Sequence, residues 1–203
     1  MRLFITCQTG YVEHAFPCGD LALDFVGTLR ARRNAEPREA LGTPGALDAW
    51  FVQAGVVDSA PGSGPGDLAA AVALREAIYD LVRRRIVGEP GDPASVDLLN
   101  RVAARPPVVP RLGPGGRVTT AGTAEQALSS VARHAVGVLG GPAADLLKEC
   151  GRPECTQVYV DSSRGFRREW CAMATCGNKM KALAHRARQR GNRPLRPARL
   201  GAR

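Results

Sequence analysis

The chain has 203 residues, 44% of them hydrophobic, which suits one ordinary domain joined to a small one. It contains no run of about 18 apolar residues, so no membrane-spanning helix is expected, and the short apolar run after Arg2 lacks the length of a signal peptide. A cytoplasmic location with reduced thiols follows as the expectation, and in that setting six cysteines point to metal or free thiols rather than disulfides. The net charge of +9 is unevenly placed. Residues 1–149 carry 15 Lys+Arg against 16 Asp+Glu, whereas residues 150–203 carry 13 Lys+Arg against Glu154, Asp161 and Glu169. A basic segment of this kind points to a polyanionic partner.

In chain order, Phe4, Ile5, Tyr11 and Val12 suit short strands. Leu21 to Arg33 reads as a helix, with Asp20 as N-cap, Leu21, Phe25, Val26 and Leu29 at helical spacing, and Arg30, Arg32 and Arg33 at its C-terminal end. Thr43-Pro44 caps and opens a second helix that Gly55 stops, its inner face Leu47, Trp50, Phe51 and Ala54. A Pro/Gly loop precedes the clearest helix, Asp67 to Val87, and Asp92-Pro93 opens another over 94–104. Val108 to Leu112 and Arg117 to Thr120 flank a glycine-rich turn and read as a small hairpin. Thr123 to Leu139 is amphipathic, with Ala127, Leu128, Val131, Ala135 and Val138 inward, and Ala143 to Glu149 reads as a short helix. The fold class expected is mainly α with a minor β element (α+β). Residues 1–142 form the helical domain, 143–190 a metal-braced finger, and 191–203 a disordered basic tail.

Four cysteines run C-x4-C-x15-C-x4-C: Cys150, Cys155, Cys171 and Cys176. Two close pairs of thiolates suit one tetrahedral zinc ion, and four of them close its coordination sphere, so the site reads as structural. The spacer contains the β-like run Val158-Tyr159-Val160 and a polar turn, with room for a hairpin that carries one pair toward the other. After Cys171 comes a basic helix whose first turn carries ligands. Knuckle, hairpin and ligand-bearing helix together make a treble-clef arrangement. Cys7 and Cys18 read as free thiols, Cys18 beside the first helix, and His134 as a partly buried packing residue.

Cys150-GRPE-Cys155, Tyr159-Val-Asp161, Ser163-Arg164, Arg167-Arg168-Glu-Trp170-Cys171 and Cys176-Gly177-Asn178-Lys179 resemble, in order, the core of the CGNR zinc finger family. Lys179 stands where that family carries Arg, which keeps the charge but loses the planar fork. The front resembles the ABATE domain usually joined to this finger: Leu21-Ala-Leu23-Asp24-Phe25-Val26, with Gly27 where Asn is common, then Thr43-Pro44 through Gly55, then Leu74-Arg75-Glu76-Ala77. The resemblance implies a transcription regulator, described as stress-induced, with a DNA-binding finger.

Within that reading the nucleic-acid contacts fall to Arg164, Arg167, Arg168, Lys179, Lys181, Arg186, Arg188 and Arg190, mostly on phosphates, with Arg186 the choice for reading a guanine. Arg164 has an alternative role, bracing the Asp161 turn. Asp24, Trp50 and Arg75 are candidates to line a pocket for a small-molecule effector, and a homodimer is the other role open to the helical domain. RNA binding or a protein-interaction module is the alternative function, against which the 5% aromatic content weighs, since single-strand readers stack bases on exposed rings. No Walker loop, dinucleotide fingerprint, HExxH or G-x-S-x-G occurs, so no enzyme is expected.

Overall fold

Proline and capping side chains set the helix starts. The computed structural model describes residues 13–191, so the expectations for Phe4, Ile5, Cys7, Tyr11 and Val12, and for the tail past Gly191, fall outside the described residues. Thr43 caps α2 (Pro44–Gln53) through its side chain on Ala46 N, and Gly55 takes a left-handed φ of 70° just past the end. Pro65 opens α3 (Pro65–Val87), with the Asp67 carboxylate accepting from Gly64 N at 2.8 Å. Asp92 caps α4 (Pro93–Ala103), and Thr123 with Gln126 forms a capping box on α5 (Ala124–Gly140). All five residues expected on the inner face of α5 are buried.

The first helix is shorter than its periodicity suggests. α1 spans Leu21–Val26 instead of reaching Arg33. Thr28 Oγ1 donates to Phe25 O at 2.7 Å and so takes a carbonyl that a continuing helix would need, and Ala31 turns the chain at a φ of 54°. Leu29–Arg30 (β1) then pairs antiparallel with Arg38–Glu39 (β2), with Arg30 opposite Arg38. Arg32 folds back under this hairpin. It donates to Val26 O at 3.2 Å, lies 4.0 Å over the Tyr79 ring and pairs with Glu76. One cation thus still meets a terminal carbonyl of α1, but from outside the helix.

Helix α3 is the centre of the molecule, packed by α1, α2, α4, α5 and a C-terminal strand. Phe25, Trp50 and Phe51 make an aromatic cluster in this core, with the Phe25 and Trp50 ring centroids 4.9 Å apart. The expected hairpin is present as β3 (Arg111–Leu112) against β4 (Val118–Thr119) and lies exposed on the surface. With 49% helix and 8% strand among the described residues, the class is mainly α.

The expected helix at 143–149 does not form. A 3-10 turn, Ala144–Leu146, leads straight into β5 (Leu147–Glu149), which pairs antiparallel with β6 (Val158–Val160). The reason is tertiary: Leu147 and Val158 enter the same core cluster as Leu23, Leu74 and Leu128. The helices and the hairpin therefore share one hydrophobic core, and a chain cut after Glu149 would lose Val158 from it.

Gln157 ties the two parts more closely. Its Nε2 donates to Leu23 O at 3.2 Å and to Cys18 Sγ at 2.9 Å, and it is 3% exposed. A Cβ built on Gly27 would come within 2.5 Å of Gln157 Oε1. This accounts for glycine at a position where the resemblance leads one to expect asparagine. Gly27→Ala should therefore lower stability by about 1–3 kcal/mol in urea titration, since the held amide has nowhere to go; an unchanged midpoint would show that Gln157 yields freely.

Candidate metal centre and its basic flank

The β5–β6 hairpin builds half of the cysteine cluster. Cys150 follows β5 directly, and its N donates to Gln157 O at 2.9 Å, extending the ladder by one step. The connection then turns tightly, with Cys155 N donating to Arg152 O at 2.9 Å. Gly151 N reaches across to Glu169 O at 2.8 Å and draws in the segment before Cys171. Cys176 lies in a π-helical turn, Met173–Gly177, that runs into α6 (Asn178–Gly191). Two sequence expectations are corrected here. The hairpin spans the first knuckle rather than lying inside the spacer, because β6 finds its partner in β5. Only Cys176 sits in the helical turn, while Cys171 lies at a bend before it.

The four sulfurs lie within 4.8 Å of one another, with Cys155 and Cys171 at 3.9 Å and Cys171 and Cys176 at 3.7 Å. A tetrahedron with Zn–S bonds of about 2.3 Å has edges of about 3.8 Å, so the donor set fits zinc. These separations are far beyond a disulfide bond of about 2.05 Å. Cys150, Cys171 and Cys176 are each at most 6% exposed. Hydrogen bonds from Cys155 and Cys171 hold the Cys150 thiol far below its usual range, while contact with Cys150 and Cys155 pushes Cys171 up. Four crowded thiols cannot all ionise by themselves, and a divalent cation removes that conflict. The chain holds one zinc ion on Cys150, Cys155, Cys171 and Cys176, a closed structural site.

Beside it, the segment from Asp161 to Arg168 is a locked loop. Asp161 is fully buried and accepts from Lys148 Nζ at 2.6 Å, Ser163 N at 3.0 Å, Ser163 Oγ at 2.6 Å and Arg168 N at 3.0 Å. Burial pushes its carboxyl up, but these bonds outweigh that and hold it well below the usual carboxylate range. Lys148 also donates to Phe166 O at 2.6 Å. Phe166 is exposed at a φ of 51°, beside Gly165 at 81°.

The eight basic residues expected to face nucleic acid divide into two kinds. The guanidinium of Arg168 belongs to the finger: Nε donates to Trp170 O at 2.8 Å, Nη2 donates to Cys171 O, and the group lies 4.5 Å over the Tyr159 ring. Arg164, Arg167, Lys179, Lys181, Arg186 and Arg188 are exposed. Arg164 does not brace Asp161, whose bonds come from Lys148, Ser163 and Arg168. Arg190 is in the last turn of α6, its side chain outside the described ones. His134 is exposed on α5 rather than packed.

Asp24, Trp50 and Arg75 are buried but do not converge. Asp24 accepts from Cys18 N and Gly19 N at 2.9 and 3.1 Å, a turn-holding role. Arg75 grips Glu39 with two bonds, at 2.6 and 2.7 Å, and also donates to Glu76 at 2.9 Å. Trp50 packs in the aromatic core, its Nε1 without a hydrogen-bond partner among the described residues, at the edge of a cavity of about 160 Å³. Gln157 and Lys148 escaped the sequence reading, because only the hairpin register brings them to Leu23 and Asp161. A polar residue just before a β-like run was the only available hint of Gln157.

These features define a zinc-binding protein, a helical domain continuous with a four-cysteine finger. Residues 19–142 match the ABATE family, described as "putative stress-induced transcription regulator", and residues 147–189 match the CGNR zinc finger. The chain belongs to the ABATE family and carries a CGNR zinc finger. No curated protein matches it. No helix among the described residues is long and apolar enough to cross a membrane.

Metal analysis should find one zinc per chain, and Cys176→Ser should abolish it. Chelation should remove the helical signal of α6 but little of that from α1 to α5. A metal content near zero in protein purified without chelator would refute the site. Arg168→Ala should raise the chelator sensitivity of the zinc several-fold, whereas Arg167→Ala should leave it unchanged. Equal behaviour of the two would mean that the Arg168 bonds contribute nothing to the finger.

Proposed function

We propose that this chain regulates transcription by binding duplex DNA through the finger and α6. The observation that supports this most is the state of α6. Every residue from Lys181 to Gln189 is exposed, and the helix has no acidic residue to pair with Lys179, Lys181, Arg186 and Arg188. Helices of about 12–15 residues are marginal alone in water, and an unpaired cationic one more so. The zinc thiolates at its N-terminal end favour the helix dipole there. Farther along, a polyanion is the partner that would stabilise it. A helix of this diameter fits the major groove, where Arg186 can read a guanine while Arg164, Arg167, Lys179 and Lys181 meet phosphates.

Phe166 favours a second reading, RNA binding. It is an exposed ring on a rigid, basic loop, which suits stacking on an unpaired base. The helical domain, in the first reading, takes an effector or a second copy of the chain.

Binding of a duplex should weaken steeply with salt, by about 0.9 in logarithmic slope per neutralised phosphate, and Lys181→Ala should reduce the slope by about one unit. Circular dichroism should show added helix on binding. Salt-insensitive affinity would sink the DNA reading, and a strong preference for single strands that Phe166→Ala abolishes would favour RNA.

A further inference from the structure

A cleft of about 340 Å³ runs between the β1–β2 hairpin of the helical domain and the first zinc knuckle. Arg30, Asn34 and Arg38 line it from the hairpin, and Arg152, Glu154 and Lys179 from the finger. Four cations thus face one carboxylate, Glu154, which receives Arg152 Nε at 2.7 Å, while three of the zinc cysteines, Cys155, Cys171 and Cys176, also line the cleft. The acid nearest Arg38 in sequence, Glu39, is held by Arg75. Arg30 donates to the carbonyls of Gly27 and Ala15, at 3.1 and 3.2 Å, and meets no carboxylate among the described residues.

Arg30 and Arg38 also stand directly opposite each other in the β1–β2 ladder. Like charges in facing positions destabilise a hairpin. The zinc thiolates on its wall are negative, and of the four cations Arg152 is the one that meets a sulfur, Cys176 Sγ at 3.7 Å, among the described residues. Arg38 and Lys179 are exposed; Lys179 feels Glu154, which Arg152 already holds, and Arg38 forms no ion pair among the described residues. An anion entering the cleft would relieve the repulsion and satisfy both.

We propose that this cleft binds a backbone phosphate of the DNA held by α6, so that the helical domain contributes Arg38 and Asn34 to the nucleic-acid surface. Lys179 sits in the first turn of α6 and joins the cleft to the helix. The inference rests on the DNA reading above and extends it to a domain whose exposed cations were not assigned to DNA. The arrangement gives the helical domain a direct hold on how the finger sits on the duplex. A change in the β1–β2 hairpin would then alter affinity without touching the zinc.

The test compares the full chain with Arg38→Ala, Arg38→Glu and Arg111→Ala, the last on the remote β3–β4 hairpin and equally exposed. Binding to a random-sequence duplex of about 20 bp is measured across a salt series. Arg38→Ala should weaken binding about fivefold near 0.15 M salt and lower the slope by about one unit, and Arg38→Glu should weaken it further. Zinc content should not change, the urea midpoint should stay level or rise as the Arg30–Arg38 repulsion is removed, and Arg111→Ala should match the wild type in binding. If Arg38→Ala behaves like Arg111→Ala while Lys181→Ala weakens binding, the cleft proposal is overturned and the DNA reading survives. If the wild type binds no duplex, both fall together.

Discussion

Strand β6 is held by two cores at once. Val158 points into the helical core and Tyr159, its neighbour, into the cysteine cluster, as the two-residue period of a strand requires. Its partner β5 repeats the arrangement, Leu147 in the helical core and Cys150 one step past the strand at the metal. A slip of one residue in this register would put an apolar side chain at the zinc and a phenol among leucines. The bonds of Gln157 to Leu23 and Cys18, and the donation of Cys18 Sγ to Val158 O at 3.1 Å, all depend on the same register.

The finger is therefore not an appendage on a linker. Its metal half is small and poor in apolar residues, and a fragment of that kind needs a metal to fold. Its hairpin half draws on the burial that stabilises the helices. Arg33 adds an ion pair with Glu149 at 2.5 Å, and Thr156 Oγ1 accepts from Arg32 N at 3.3 Å. Through these contacts the position of the zinc, and of α6 beyond it, follows the position of the β1–β2 hairpin. Such coupling is the physical basis on which a helical domain could bias what its finger does.

The charge distribution follows a similar division. Acids and bases of the helical domain largely neutralise one another: Arg75 with Glu39 and Glu76, Arg84 with Asp80, Arg85 with Asp145. In the finger, Asp161 and Glu154 are taken by Lys148 and Arg152. Cations outside these pairs lie on α6, on the Asp161 loop and on the hairpin cleft, and also on the helical domain's surface, as at Arg101, Arg111 and Arg117. Their excess is thus a property of placed surfaces as well as of composition, and it is where the long-range field of the molecule originates.

Local chemistry made much of this legible in the sequence. Caps and prolines marked α2 and α4, because their side-chain and ring constraints act within a few residues, and the spacing of apolar residues marked α3 and α5. Cysteine spacing marked the zinc ligands, because a tetrahedral ion demands four donors from two close pairs. What lay beyond reach depended on distant partners. Leu29 and Arg30 read in sequence as part of the first helix but pair as a strand with Arg38 and Glu39, and Leu147 to Glu149 joins β6 because the helical core accepts Leu147 and Val158. Arg168 carries the same charge in sequence as Arg167, yet its guanidinium is bonded inside the finger while that of Arg167 is exposed. Which charges are spent and which are free is decided by contacts across the fold, and a sequence read locally has no access to them.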